Sequence, residues 1–280
     1  MKIKFSLEFF PSKSEEADKR LHNAVNLLAK LNPEFVTVTY GAGGSTKDKT
    51  KDIVLKIADE HSFPVAAHIT AVGQTKEEVL STAHDYWENG IKKLVVLRGD
   101  APNGEVYKPH PGGFAYALDL VEGLKDLHSD FDILVAAYAE GHPEAPSLDF
   151  DLDNLKRKLD AGASKAITQF FFDPELFLRF RDRAAKAGIE KEIIPGLLPL
   201  LNFKRTCSFA ERCGAPIPEF LYDIFNGLEP SKENHKLFAM NVLSHQITRL
   251  TLEDVKHVHF YTLNETLLTR HICRWLNMGF

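Results

Sequence analysis

A chain of 280 residues allows one large domain or two small ones at about 150 residues each. Its 34 Lys+Arg stand against 39 Asp+Glu, a net charge of −5, the wrong sign for a protein that grips nucleic acid by its phosphates. Apolar residues at 44% and charged residues at 26% can fill a sizeable core, and three scattered cysteines, Cys207, Cys213 and Cys273, exclude a disulfide framework and a four-thiolate zinc site.

Strand-like runs alternate with longer amphipathic stretches along the chain. The first strand is expected over 3–10 (KIKFSLEFF) and a helix over 14–31. Strand 35–40 leads into helix 45–61, which Ser45-Thr46 open, and strand 64–70 into helix 75–90, which opens at Thr75 and closes at Asn89-Gly90. Strand 92–98 precedes helix 113–128, strand 132–138 precedes helix 148–162, and strand 165–171 precedes helix 174–187. After strand 192–198, segments near 204–212, 217–226 and 230–250 intervene before strand 256–262. Eight β-then-α units predict an α/β fold, a (β/α)₈ TIM barrel with extra helices between strands seven and eight. Neither a linker nor a low-complexity tract divides it, so residues 1–280 read as a single catalytic domain. The N-terminus lacks a signal-like apolar stretch, and no window reaches the roughly 18 apolar residues of a membrane span. A cytoplasmic enzyme acting on a small molecule, with no nucleic acid and no membrane partner, is the expectation.

Strand parity locates the site. Residues of a barrel strand alternate between the interior and the helix-facing side. Ser6 and Glu8, Thr37 and Thr39, His68 and Thr70, Arg98 and Asp100, Gln169, and His257 and His259 form the polar set, which should point inward. A purely structural barrel fills its interior with branched apolar layers. Polar residues near the C-terminal strand ends therefore predict an active site at that mouth.

Glu8 is the sharpest candidate. Among Phe5, Phe9 and Phe10 its carboxyl should be desolvated, which raises its pKa and suits a general acid; the alternative is a structural ion pair with Arg98. Asp100 follows Arg98-Gly99, where Gly99 lets a ligand approach the backbone. Gly41-Ala42-Gly43-Gly44-Ser45-Thr46 is an imperfect dinucleotide fingerprint, better read as a βα loop whose helix N-terminus can host phosphate. His257-Val258-His259 is a possible metal pair, and with His68 and Asp100 it supports an alternative, a metal-dependent hydrolase. No compact His/Asp cluster backs that alternative, so no metal is assigned. Lysines over 47–56 read as a solvated helix face, and Cys207 and Cys213 as packing residues.

Taken in order, Ser6-Leu7-Glu8-Phe9-Phe10-Pro11, Val38-Thr39-Tyr40-Gly41-Ala42, Ala67-His68-Ile69-Thr70, Leu97-Arg98-Gly99-Asp100, His142-Pro143-Glu144-Ala145, Asn154-Leu155-Lys156-Arg157-Lys158, Ile167-Thr168-Gln169-Phe170-Phe171-Phe172-Asp173 and His259-Phe260-Tyr261-Thr262-Leu263-Asn264 closely resemble the bacterial methylenetetrahydrofolate reductase family. The resemblance implies an FAD-containing barrel that reduces 5,10-methylenetetrahydrofolate to 5-methyltetrahydrofolate for methionine synthesis. It also implies a ping-pong cycle: NAD(P)H reduces FAD and leaves, then folate takes the same face and receives the hydride. By that resemblance Glu8 is the general acid, Asp100 lies beside flavin and folate, and Gln169 and Phe209 contact substrate. FAD-contacting positions carry over to Thr39, Tyr40, Ala42, His68, Arg98, Gly99, Asp100, Tyr116, Ala117, Tyr138, His142, Ala145, Asp151, Asn154, Arg157 and Lys158, with Arg98, Arg157 and Lys158 neutralising the pyrophosphate and tyrosines bordering the rings. The family is commonly a homo-oligomer. Two positions depart: Glu265 stands where the family usually has Arg, and Arg205 where it often has Gln. Arg205 is expected to take over the charge that holds the anionic tail of folate.

Overall fold

The computed structural model describes residues 3–11, 14–40, 47–101, 106–227 and 232–279. Eight parallel strands close into a barrel in chain order: β1 (Lys4–Phe9), β2 (Val36–Val38), β3 (Val65–Thr70), β4 (Lys93–Leu97), β5 (Asp132–Ala137), β6 (Lys165–Phe170), β7 (Ile193–Leu197) and β8 (His257–Tyr261). Helices α1 (Glu15–Ala29), α2 (Lys47–Glu60), α3 (Lys76–Glu88), α4 (Ala117–Leu127), α5 (Leu148–Asp160) and α6 (Pro174–Lys186) follow the first six strands. Three helices, α7 (Phe203–Arg212), α8 (Glu219–Asn226) and α9 (Lys232–Leu252), separate β7 from β8, and α10 (Leu267–Met278) ends the described chain. The architecture is the (β/α)₈ barrel that the alternation predicts, with the insertion where it was expected. The amphipathic α10 has no counterpart in the sequence reading.

Local chemistry explains the boundaries. Thr75 accepts the Glu78 N–H while the Glu78 carboxylate accepts the Thr75 N–H, a reciprocal cap that starts α3. Ser14, Ser147, Asp173 and Asn202 cap α1, α5, α6 and α7. The Ser45-Thr46 start expected for α2, with the whole 41–46 loop, lies outside the described residues. In α2, Lys49 and Lys51 pair with Asp18 and Asp85 across helices while Thr50, Val54 and Ile57 are buried.

Two apolar layers and one mixed axis result. Outward-facing strand residues such as Phe5, Leu7, Phe9, Val38 and Ile69 pack on Leu21, Val54, Val79 and Leu120 of the helices, each large side chain contributing about 1.5–3 kcal/mol on burial. Inside the barrel, Phe35, Ala66, Val95, Leu134, Ile167 and Ile194 form a small apolar cluster. A third cluster beneath α7, α8 and α9 joins Phe170 and Phe172 to Phe203, Leu221 and Phe225. Strand four departs from the expected parity. Val95 and Leu97 face inward with that apolar cluster, and the strand ends at Leu97, so Arg98 and Asp100 belong to the loop. Gly99, at φ +86°, breaks the alternation there.

Candidate active site

Glu8 lies near the C-terminal end of β1, 6% exposed, and three strands converge on it. His68 of β3 places Nε2 3.3 Å from its Oε2, and His259 of β8 places Nε2 3.6 Å away. Thr37 of β2 donates its hydroxyl to the same oxygen at 3.3 Å. The end of β1 is fixed by the turn after β8. The Thr262 hydroxyl donates to the Glu8 carbonyl, and Asn264 exchanges two 2.9 Å hydrogen bonds with the backbone of Phe10. Leu263 and Asn264 sit in the left-handed region (φ +49° and +59°), a strained turn of the kind concentrated at functional sites.

The expected ionisation of Glu8 is reversed. Burial pushes its carboxyl up, but hydrogen bonds and charge from His259 and His68 outweigh that and hold it at about 2. Phe5 and Phe9 do not desolvate it, because they point to the helices. Burial lowers His259 although Glu8 pulls it up. The free site is a carboxylate facing imidazoles. Nor is Glu8 the partner of Arg98, which forms two hydrogen bonds with Glu144 and lies over the Tyr107 ring at 4.3 Å.

Around the mouth the loop residues form a second group. Asp100 is exposed, and its charge reaches Tyr138 and Cys213; the Glu8 charge also reaches Cys213. Tyr138 packs edge-on against His142 at 4.8 Å. The His142 N–H donates to Asp151, and its Nδ1 accepts the Glu144 N–H. Burial and the Arg98 charge lower the His142 imidazole. Lys158 reaches from α5 to the end of β5, donating to the Ala136 carbonyl at 2.8 Å, and burial drops its ammonium to about 8. Arg98, His142, Asp151 and Lys158 are thus within electrostatic reach of one another.

Other expected residues fall elsewhere. Arg157 turns to Asp153 and Asn154 on the outer face of α5, away from the Lys158 side. The Tyr40 ring packs outward against the helix-facing core, and burial lifts its hydroxyl, which faces Tyr86, to about 12. Its ring faces the helices rather than the barrel axis, unlike the ligand-bordering tyrosine expected from the sequence. Tyr116 is 59% exposed at the N-terminus of α4 beside Ala117, with Tyr107 6.3 Å away. Ala145 is half-buried in the β5–α5 loop. Ala42 lies outside the described residues. Gln169 is half-buried at the end of β6 and accepts the Phe170 N–H.

A cleft of about 640 Å³ opens between α7 and the turn after β8, lined by Lys204, Arg205, Ser208, Phe209, Arg212 and Leu263 with Asn202 at the helix cap. Phe209 stacks on Phe170 at 5.4 Å. Arg205 therefore faces the strand-eight turn that carries Glu265. Lys204 and Arg212 are cations the sequence reading passed over; their spacing with Arg205 along one helix was the available signal.

The metal-hydrolase alternative lacks geometry. His257 and His259 direct ring nitrogens at Ser6, Asp100 stands at the exposed rim, and among the described residues no three His, Cys, Asp or Glu side chains gather for a metal. The mouth does suit a flavin nucleotide. Thr39 Oγ1 and Thr70 Oγ1 are buried there without hydrogen-bond partners, which a heteroaromatic ring with carbonyl and ring-nitrogen groups can satisfy. Arg98 and Lys158 supply cations for a pyrophosphate.

Among the described residues no helix is long and apolar enough to cross a membrane. Residues 1–277 match the family described as Methylenetetrahydrofolate reductase. The 5,10-methylenetetrahydrofolate reductase of Escherichia coli K12 is 47% identical over 276 residues, covering 99% of this chain and 91% of that one. Methylenetetrahydrofolate reductase (NADH) 1 of Arabidopsis thaliana is 34% identical over 274 residues, covering 93% of this chain and 46% of that one. Among solved structures, an uncharacterized Clostridium thermocellum protein that binds two copies of 5-methyl-5,6,7,8-tetrahydrofolic acid superimposes with a TM-score of 0.66 at 12% identity, covering 98% and 96% of the two chains, a likeness of fold. The chain belongs to the methylenetetrahydrofolate reductase family.

Proposed function

We propose that this barrel catalyses FAD-dependent reduction of 5,10-methylenetetrahydrofolate to 5-methyltetrahydrofolate, with NAD(P)H as electron donor in a ping-pong cycle. The observation that carries the reading is the buried Glu8 carboxylate flanked by His68 and His259 at the C-terminal mouth. FAD, when bound, supplies the hydride carrier between nicotinamide and folate. His68, Thr39 and Thr70 would satisfy the polar edge of its ring system, Gly99 lets it approach the backbone, and Arg98 and Lys158 with His142 would hold its phosphates. Asp151, from α5, orders that loop by accepting the His142 N–H.

The chain's own residues then account for the proton chemistry. Opening the five-membered ring of the methylene folate to its reactive iminium form needs a proton on the departing nitrogen. Glu8 is the acid in reach of the mouth, and it takes that proton from a neighbouring imidazole because its own free form is ionised. Asp100 at the rim and Gln169 on β6 orient the pterin by hydrogen bonding, and Phe209 offers a face to stack on. Arg205, with Lys204 and Arg212, holds the anionic glutamate tail in the α7 cleft. A methyl product of this kind serves methionine synthesis.

The test is direct. Purified protein should be yellow with bound flavin and should form 5-methyltetrahydrofolate from methylenetetrahydrofolate and NADH or NADPH. A colourless protein that forms no methyl product after incubation with FAD would refute the reading.

A further inference from the structure

Among the charged side chains at the mouth, Arg98 is held from three sides. Its Nη1 and Nη2 each donate to one oxygen of Glu144, at 2.5 and 3.0 Å, and its Nε donates to the Gly99 carbonyl at 3.3 Å. The Tyr107 ring lies against the guanidinium face at 4.3 Å. That ring is itself tied down, because the Tyr107 hydroxyl donates to the Ala115 carbonyl at 2.7 Å. A guanidinium carries five N–H donors. Three are used in these bonds, which leaves one on each terminal nitrogen for another anion.

Glu144 is placed just as firmly. The Ala145 N–H donates to the His142 carbonyl at 2.9 Å and closes a turn whose second residue is Pro143, where the fixed φ of proline suits a β-turn. The Glu144 N–H donates to His142 Nδ1 at 3.1 Å, and the His142 N–H donates to Asp151 of α5. The end of α7 packs on the same turn: a methyl group added at Gly214 would lie 2.9 Å from Pro143 Cγ. So much ordering is more than a surface ion pair requires. The Glu144 side chain is 57% exposed against 18% for Arg98, and an exposed pair adds little to folding stability.

We propose that Glu144 and Tyr107 are positioning residues that fix the Arg98 guanidinium so that its two remaining donors serve the pyrophosphate of FAD. The proposal rests on the folate-reductase reading, in which this mouth binds FAD. An unheld arginine spreads over many rotamers, and ordering it on binding costs affinity. Here the fold does that ordering in advance. The Glu144 charge does not cancel the gain. Water and salt reach its exposed carboxylate and screen its repulsion of a phosphate, while its fork on Arg98 stays in contact. Both residues act through Arg98, and neither touches the cofactor in this scheme.

FAD release on dilution of the flavin-loaded protein, followed by recovery of flavin fluorescence, reads the Kd. Glu144→Gln keeps the side-chain shape but loses the charge and one accepting oxygen, and should raise the Kd about three- to tenfold. Tyr107→Leu removes the ring face and should raise it about two- to fivefold, whereas Tyr107→Phe, which keeps the ring, should lose less. In an Arg98→Met background each of these changes should shift the Kd by less than about twofold. Independently of affinity, the ³¹P resonances of bound FAD should move in Glu144→Gln while the visible absorption of the flavin ring stays as in wild type. Unchanged or tighter FAD binding in Glu144→Gln would overturn the proposal, tighter binding marking Glu144 as a competitor for Arg98. Unchanged binding in Tyr107→Leu would overturn the role of Tyr107. Equal losses with and without Arg98 would overturn both roles, as the mark of a general structural defect. A wild-type protein that binds no FAD would instead overturn the functional reading.

Discussion

Gly99→Ala perturbs the site through its backbone, and the structure sets the size of the effect. A methyl group at this position would lie 2.5 Å from Val72 Cγ1, 3.0 Å from Val72 Cβ and 3.1 Å from Thr70 Cβ. Val72 is buried and Thr70 ends β3, so neither has free space to retreat into. Overpacking of this kind costs about 1–3 kcal/mol. The φ of +86° adds about 1–2 kcal/mol for a residue with a Cβ. Together the substitution should cost about 2–5 kcal/mol, a fall in melting temperature of about 3–9 °C for a chain of 280 residues. Urea unfolding of the wild type, Gly99→Ala, Val72→Ala and the double variant separates the two contributions. The double variant should recover the steric part and leave the backbone part, a coupling of at least about 1 kcal/mol. Because Arg98 and Asp100 flank Gly99, flavin content should fall as well. A Gly99→Ala protein within about 0.5 kcal/mol of wild type, or strictly additive effects, would refute the packing argument.

Other residues yield equally definite expectations. Glu8→Gln should retain flavin and its reduction by NAD(P)H while folate reduction falls about 10²–10⁴-fold; equal loss of both half-reactions would contradict the general-acid assignment. Flavin affinity should weaken as pH rises past about 8, where Lys158 loses its proton, and Lys158→Met should bind flavin weakly with that pH dependence gone. The same depressed ammonium favours deprotonation in the folded state, so the ligand-free protein should gain stability between pH 8 and 10.5, seen by urea titration. Arg205→Ala should raise the folate KM about three- to tenfold with kcat retained, and an unchanged KM would remove Arg205 from tail binding.

The sequence carried most of the architecture, because period-2 runs and capping residues are local signals. It also carried the inward set on β1, β2, β3 and β8, where Glu8, Thr37, His68 and His259 meet. It failed where the outcome depends on residues distant in the chain or on a single backbone angle. Glu8 was judged by its phenylalanine neighbours, which face the other way, while His68 and His259, from β3 and β8, decide its ionisation. Strand four ends one residue short of the expected 98 and its alternation does not extend to Asp100, since nothing in Leu97-Arg98-Gly99-Asp100 announces that the strand stops at Leu97 and that Gly99 turns the chain. Tyr40 fits a tyrosine bordering a ligand until Tyr86 on α3 is brought against it. Arg98 and Glu144, 46 positions apart, pair only once β4 and the β5–α5 loop are neighbours.

The central claim, that one site at the barrel mouth passes a hydride from nicotinamide through flavin to methylenetetrahydrofolate, is tested most directly by anaerobic stopped-flow spectroscopy of the flavin. Rapid bleaching on mixing with NADH or NADPH, followed by recovery of the oxidised spectrum on mixing with methylenetetrahydrofolate and formation of the 5-methyl product, is the expected result. A flavin that a nicotinamide reduces but the folate leaves bleached would contradict it.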